Sequence, residues 1–319
     1  MTGAASLEDV RAAYRLLLRR EPDPIGLRHY QTLVEAGLSV DALIQAFENS
    51  DEYRQRAAAR AAVVDVDCGD YFVQVESLES DFGWKIARDH TWERHIVAAV
   101  RTLLAPGDTF LDIGANVGVM SFAAARTVGP AGRVIAVEPN GANLQRLYGG
   151  IVRNGFANVR VLPFAASNRP AIFALAGGTS NTYVVESGPG QEYVQSVVLD
   201  EALAGLDRLD VVKIDIEGHE PLALEGFART LRRFRPRLLL EFNPRCLRDH
   251  AGLDPRAVAT TTFDLLDEVE RIEPDGSRIP VPSAEALWAM WKDGNARMVS
   301  SGQLPDGMLH FDLLGRVRG

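Results

Sequence analysis

The sequence is poor in cysteine, in lysine and in long apolar runs, and each shortage narrows what the chain can be. Its two cysteines, Cys68 and Cys246, stand far apart among 319 residues. No C-x-x-C pair exists, so a disulfide scaffold and a paired-cysteine metal or redox motif are excluded. No stretch reaches membrane-spanning length. Arginines interrupt Met1 to Arg20, unlike the apolar core of a secretory leader. A cytoplasmic protein is the expectation. Positive charge is also short: the net charge is −9 and the pI about 5.3. Phosphate backbones attract basic surfaces, so this balance disfavours a nucleic-acid partner. Only three of the 34 basic residues are lysine, a bias that reads as genome composition. What is present, 46% hydrophobic and 24% charged residues, suits an ordinary globular chain with one large α/β domain and a small appendage.

Residues 1–60 read as a small all-α domain. Ser6 with Asp9 forms a capping-box pattern, and Val10, Ala13, Tyr14, Leu17 and Leu18 follow at helical spacing. Asp23-Pro24 reads as N-cap and N1 of a second helix that Gly37 ends. Ser39 caps a third, carrying Leu43, Ile44 and Phe47, and Ser50 a short fourth. Ala57 to Ala62 is an alanine-rich join. The segment resembles a small bacterial domain of unknown function found with surface-layer, glycan-related and transferase proteins. The resemblance rests on Tyr14 to Asp23, on Gly26, Leu27 and Tyr30, and on Phe47 to Tyr53. That family usually has Trp where His29 or Tyr30 stands. His29 has no Cys or His partner at metal spacing, so a surface or packing role is expected.

Residues 61–319 form the second domain, with its core from about 105. Tyr71–Glu76 alternates weakly as a short strand, and a helix runs from Glu93 to Leu104. From Asp108 strands and helices alternate, the mark of a mostly parallel sheet. The strands fall at Thr109–Ile113, Arg133–Val137, Val159–Pro163, Asp210–Asp215, Arg237–Glu241 and near His310–Leu314. Most are continuous apolar runs, as strands covered on both faces require. Ala171–Leu199, with Gly177 to Asn181 and Gly188-Pro189-Gly190, reads as a loop or hairpin over the strand ends.

The chemistry concentrates after the first core strand. Phe110 to Gly118 reads as a buried strand, a glycine turn and a helix start. The next strand ends on Glu138. A glycine turn lets a ligand approach the backbone, and the helix start favours polar or negative groups. An acid closing the second strand can take both hydroxyls of a ribose. A nucleoside-containing cofactor follows. The turn reads D-x-G-x-x-x-G rather than the dinucleotide G-x-G-x-x-G. Asp112, two residues before Gly114, repels a pyrophosphate and suits a cationic amino group, such as that of S-adenosylmethionine.

Ligands of open α/β sheets bind beyond the carboxyl ends of the strands. This rule selects Asp112 to Gly118, Glu138 to Asn140, Pro163 to Ser167, Asp215 to Glu220, and Glu241 to Asn243. Lys213 is the oddity, a cation inside an apolar strand, and an unpaired buried ammonium is very costly. Lys213 and Asp215 share a strand face and should pair. The pair is either structural or fixes the charge and orientation of a catalytic carboxylate.

Phe110–Val119, Val134–Asn140, Val212–Glu220 with Gly226, and Leu238–Pro244 resemble the motifs of FkbM-type S-adenosylmethionine-dependent methyltransferases, from about Trp84 to the C-terminus. The resemblance implies a Rossmann-like class I methyltransferase fold, seven-stranded and mostly parallel with the last strand antiparallel. It implies methyl transfer to a hydroxyl oxygen of a sugar, glycan or secondary metabolite. Carried over, Gly114, Ala115, Asn116 and Gly118 would wrap the methionine part, and Asp112 belongs to the same cofactor set. Glu138 would hold the ribose, Pro139 and Asn140 would lie beside the adenine, and Ala165 and Ala166 would approach its edge. Asp215, Glu217 and His219 are the candidate bases. Asp215 comes first, and His219 is attractive for an imidazole pKa suited to neutral pH. No metal is required, although Asp215, Glu241 and Asn243 offer oxygen ligands suited to Mg²⁺.

Two other classes compete: a nucleotide-dependent oxidoreductase, and a non-catalytic adaptor that binds cofactor while the helical domain recruits a partner. The helical domain offers amphipathic faces for a protein partner or a second copy of the chain.

Overall fold

A computed structural model of the chain describes residues 3–18, 20–54, 63–76, 82–177, 182–186 and 192–319. The segments expected at Ala57–Ala62, Thr179–Asn181 and Gly188–Gly190 lie outside these residues. The chain divides into two compact units, one of residues 1–64 with 76–79 and one of 65–75 with 80–319.

In the first unit helices span Leu7–Leu17, Pro24–Glu35 and Val40–Glu48. Each starts as its sequence dictates. Ser6 and Asp9 make the reciprocal capping box, Asp23 accepts from the amides of Ile25 and Gly26, and Ser39 accepts from Ala42. A fourth helical turn covers 51–54, with the Ser50 hydroxyl accepting from the Tyr53 amide. Tyr14 and Tyr30 both pack on Phe47, at ring-centroid distances of 4.9 Å. A Cβ on Gly26 would meet the Tyr14 hydroxyl at 2.1 Å, so any larger residue there would displace the Tyr14 ring. His29 is exposed, its ring in a T-shaped contact with Tyr30.

Strands β1 (Val63–Asp67) and β2 (Phe72–Glu76) pair as a hairpin, of which residues 65–75 belong to the second unit. Helices Gly83–Asp89 and Arg94–Leu103 lead to the main sheet. Its strands are β3 (Thr109–Ile113), β4 (Arg133–Val137), β5 (Val159–Leu162), β10 (Val211–Ile214), β11 (Arg237–Phe242), β12 (Leu266–Ile272), β13 (Arg278–Pro280) and β14 (Phe311–Val317). The order is β13-β12-β14-β11-β10-β3-β4-β5. The neighbours from β11 through β10, β3 and β4 to β5 all pair in parallel. The last strand, β14, is antiparallel to both β11 and β12. This is the Rossmann-like class I methyltransferase arrangement. One correction applies: the sheet has eight strands rather than seven, because β13 adds an antiparallel edge to β12.

The central strands are covered on both faces, which explains their unbroken apolar sequences. Every residue of β3 and β10 is buried. Each buried Leu, Val or Ile side chain contributes ~1.5–3 kcal/mol. The insertion after β5 is larger than a hairpin. Strands β6 (Ala165–Ala166), β7 (Ile172–Gly177), β8 (Thr182–Val185) and β9 (Tyr193–Val197) form a second sheet in the order β6-β9-β7-β8.

Candidate active site

The parallel pairing of β3, β4 and β10 brings their carboxyl ends to one edge. A cavity of about 1090 Å³ opens there. Gly114, Ala115, Asn116, Glu138, Pro139, Asn140, Ala165 and Ala166 all line it, together with Asp215, Glu217 and His219. Lys213, Glu241 and Asn243 share the wall.

Gly114 has a positive φ of 85°, and a Cβ there would lie 1.9 Å from the Asp215 carbonyl oxygen. Only glycine lets the turn after β3 run this close to the end of β10. Its amide and that of Ala115 both donate to the Val137 carbonyl, tying the turn to β4. Glu138 continues that tie. Its Oε2 accepts from the Asn116 amide at 2.8 Å and its Oε1 from the Asn140 amide at 2.9 Å. Burial raises its pKa, against those amide bonds. Asn140 caps helix Gly141–Asn154 through the amides of Ala142 and Asn143. One acid thus holds two turns of the cavity wall in register.

Two expected cofactor residues are elsewhere. Asp112 is 0% exposed and off the cavity wall. It belongs to strand β3 itself, whereas the wall is built by the turn that follows. Its Oδ2 accepts from Ser121 Oγ at 2.6 Å, and its Oδ1 has no hydrogen-bond partner. Gly118 is also off the wall. It starts helix Val119–Val128 with φ 99°, and a Cβ would strike Leu147 and Phe122 at 2.7 Å.

Lys213 links the buried acid to the cavity. Its Nζ lies 3.1 Å from Asp215 Oδ2 and 3.8 Å from Asp112 Oδ1. Burial opposes the charged ammonium, but Asp215, Asp112 and Glu93 outweigh it and raise the Lys213 pKa. Burial raises Asp112 in turn, with Lys213 and Ser121 opposing.

The surrounding acids ionise late. Burial, then Asp215 and Asp312, push Glu93 up to about 8. Burial followed by Asp215 and Glu217 holds Glu241 well above the carboxylate range, and one of its oxygens, Oε2, has no hydrogen-bond partner. Glu217 is raised by burial and Asp215. Glu220 rises to about 7 through burial, although the Ile216 and Gly218 amides donate to it.

His219 departs from expectation. It is 9% exposed, with Nε2 3.1 Å from Ser167 Oγ and its ring in a T-shaped contact with Phe173. Burial, then Arg169, push it down to about 4, so it is neutral at neutral pH and a weaker base than expected. Asn243 turns its carbonyl oxygen to the Cys246 amide, capping helix Pro244–Asp249. That engages the oxygen expected for Mg²⁺.

Sequence reasoning missed Glu93 as a site residue. It precedes its helix with a left-handed φ of 41°, which turns it into the cavity wall. Cys246 and His250 also line the cavity; Cys246 reads in the sequence as a lone thiol because no second cysteine stands near it, and His250 four residues on carries no motif.

Residues 112–254 match the model of the methyltransferase FkbM domain, and residues 5–57 match that of DUF4214, a domain of unknown function. Hexuronic acid methyltransferase AglP of Haloferax volcanii is 25% identical over 199 residues, 58% of this chain and 72% of that protein. Among solved structures, an FkbM methyltransferase from Methylobacillus flagellatus KT is 19% identical with a TM-score of 0.35. That match covers 76% of this chain but 51% of the other, so the chain spans about half the length of that relative. A SAM-dependent methyltransferase from Aquifex aeolicus is 14% identical with a TM-score of 0.35, covering 75% of this chain and 95% of the other. No helix among the described residues is long and apolar enough to cross a membrane.

Proposed function

We propose that this chain, which carries a methyltransferase domain of the FkbM family, transfers a methyl group from S-adenosylmethionine to a hydroxyl oxygen of a sugar, glycan or related metabolite. The observation that carries the reading is the meeting, in one cavity, of the Gly114 turn, Glu138 and the Lys213–Asp215 pair.

The residues present fit such a cofactor. Gly114, Ala115 and Asn116 offer a close backbone approach for its methionine part. Glu138 Oε1 already accepts from the Asn140 amide and from Asn143 Nδ2, whereas Oε2 accepts only from the Asn116 amide and keeps a lone pair for a ribose hydroxyl. Pro139 and Asn140 would lie beside the adenine, with Ala165 and Ala166 at its edge. When bound, S-adenosylmethionine supplies an electrophilic methyl on a cationic sulfur. A positive charge there would favour ionisation of the late-titrating acids Glu93, Glu217 and Glu241 on this wall.

Holding an acceptor oxygen in line contributes ~7–11 kcal/mol. Asp215 is the base in this reading. Lys213 holds its carboxylate from 3.1 Å and fixes its place on the cavity wall, where it would take the acceptor proton. His219, neutral and bonded to Ser167, shapes the wall. The acceptor class draws support from the curated relative, which acts on a hexuronic acid.

The test is transfer of labelled methyl from S-adenosylmethionine to a panel of neutral and uronic-acid glycans, with alkali-stable product as the mark of an ether. Asp215→Asn should lower turnover by roughly 10²–10⁴-fold while S-adenosylhomocysteine binding stays within a few-fold. Full turnover by a folded Asp215→Asn protein would remove Asp215 as base. An alkali-labile product would replace the hydroxyl with a carboxylate acceptor.

A further inference from the structure

Glu217 follows β10, whereas Cys246 and His250 lie on helix Pro244–Asp249 and at its end, four residues apart and so on one helix face. The backbone forces the two segments together. Glu217 at φ 57° and Gly218 at φ 103° are consecutive left-handed residues, which curl the turn onto the helix. A Cβ on Gly218 would sit 2.5 Å from the Cys246 carbonyl oxygen. Across this junction Cys246 Sγ lies 3.1 Å from Glu217 Oε2. The His250 ring is fixed on two sides: Nδ1 is 2.8 Å from the Glu217 carbonyl oxygen, and the ring face stacks on Tyr183 at 3.6 Å. One ligating atom from each of the three residues falls within 4.8 Å of the others. All three line the cavity. On the same wall Glu241, with a side chain 10% exposed, keeps its Oε2 without a hydrogen-bond partner.

We propose that Glu217, Cys246 and His250 bind a zinc-type divalent ion on the wall of this cavity. The donor set selects the ion. Mg²⁺ and Ca²⁺ take oxygen ligands, whereas a thiolate, an imidazole and a carboxylate together suit Zn²⁺. On binding, the Cys246 thiol gives up its proton to solvent and forms the sulfur–metal bond. The Glu217 carbonyl orients the imidazole, as partners of metal-binding histidines do. Three protein ligands would leave a fourth position for a ligand from the cavity that all three residues line. A hydroxyl or water entering there would be acidified by the ion. Acceptor activation by the ion rests on the proposed methyl transfer; the ion site itself does not.

The experiment uses the full chain, stripped with a chelator and titrated with Zn²⁺ in competition with a chromophoric chelator. One equivalent should bind per chain. Cys246→Ser and His250→Gln should each weaken binding by at least about tenfold. Co²⁺ in place of Zn²⁺ should give a sulfur-to-metal charge-transfer band that Cys246→Ser abolishes. No bound equivalent, affinity unchanged in both variants, or a band that survives Cys246→Ser would overturn the site. Should Cys246→Ser fail to fold, wild-type stoichiometry and His250→Gln decide. S-adenosylhomocysteine titration on the same samples keeps the two readings apart, since zinc lost with that binding retained refutes only the metal site.

Discussion

The Lys213 ammonium lies 3.1 Å from the Asp215 carboxylate, inside a strand whose other side chains are apolar and buried. The same ammonium is 3.8 Å from Asp112, a carboxylate with no exposure. One cation therefore offsets an acid sealed under the sheet edge and orients another at the cavity. Lys213→Met should destabilise the protein by ~3–5 kcal/mol, because it leaves Asp112 buried and unpaired. Adding Asp112→Asn should recover much of that loss. Chemical denaturation of the single and double variants reads both, and a Lys213→Met protein as stable as wild type would refute the pairing.

Gly114→Ala places a methyl 1.9 Å from the Asp215 carbonyl oxygen at a residue with positive φ. The turn must move, so S-adenosylhomocysteine affinity should fall at least about tenfold even where the variant folds. Gly155→Ala is the control. It also replaces a left-handed glycine, but one with open space around it, off the cavity wall. Equal losses in both variants would show that backbone strain, not the approach to β10, sets the effect.

Glu93 carries a pH signature. Its pKa is pushed up to about 8 from an ordinary 4.5. The folded state therefore holds a proton that the unfolded chain releases in this window. Stability from this group is fully present below about pH 4.5, declines as pH rises and is gone above about pH 8. Glu93→Gln keeps a neutral side chain throughout, so its melting temperature should fall less than that of wild type between those limits. Parallel melting curves across the range would refute the shift.

Much of the sheet is legible in the sequence because β3, β4, β10 and β11 are covered on both faces, which demands continuous apolar runs. The Lys213–Asp215 pair is legible for a related reason, since strand alternation puts residues two apart on one face. Strand β12 is not. Its buried residues Leu266, Val269 and Ile272 recur every third position and mimic a helix. The cause is a register shift between Asp267 and Glu270, with Glu268 at φ 53°. Glu93 reaches the cavity through a left-handed backbone that no local pattern announces. The rule of strand ends picked out much of the cavity wall, but Asp112 and Gly118 lie off it. His219 follows that rule in position but not in charge, because burial is a property of the fold and not of the motif.

Calorimetric titration with S-adenosylhomocysteine tests the central claim most directly, with NAD as control and Glu138→Ala as the paired variant. Glu138 joins the β3 and β4 turns through the Asn116 and Asn140 amides and is the proposed ribose ligand. Micromolar binding by wild type, weakened roughly 10–100-fold by Glu138→Ala and absent for NAD, is the predicted result. No binding by wild type, or tighter binding of NAD, would contradict the account.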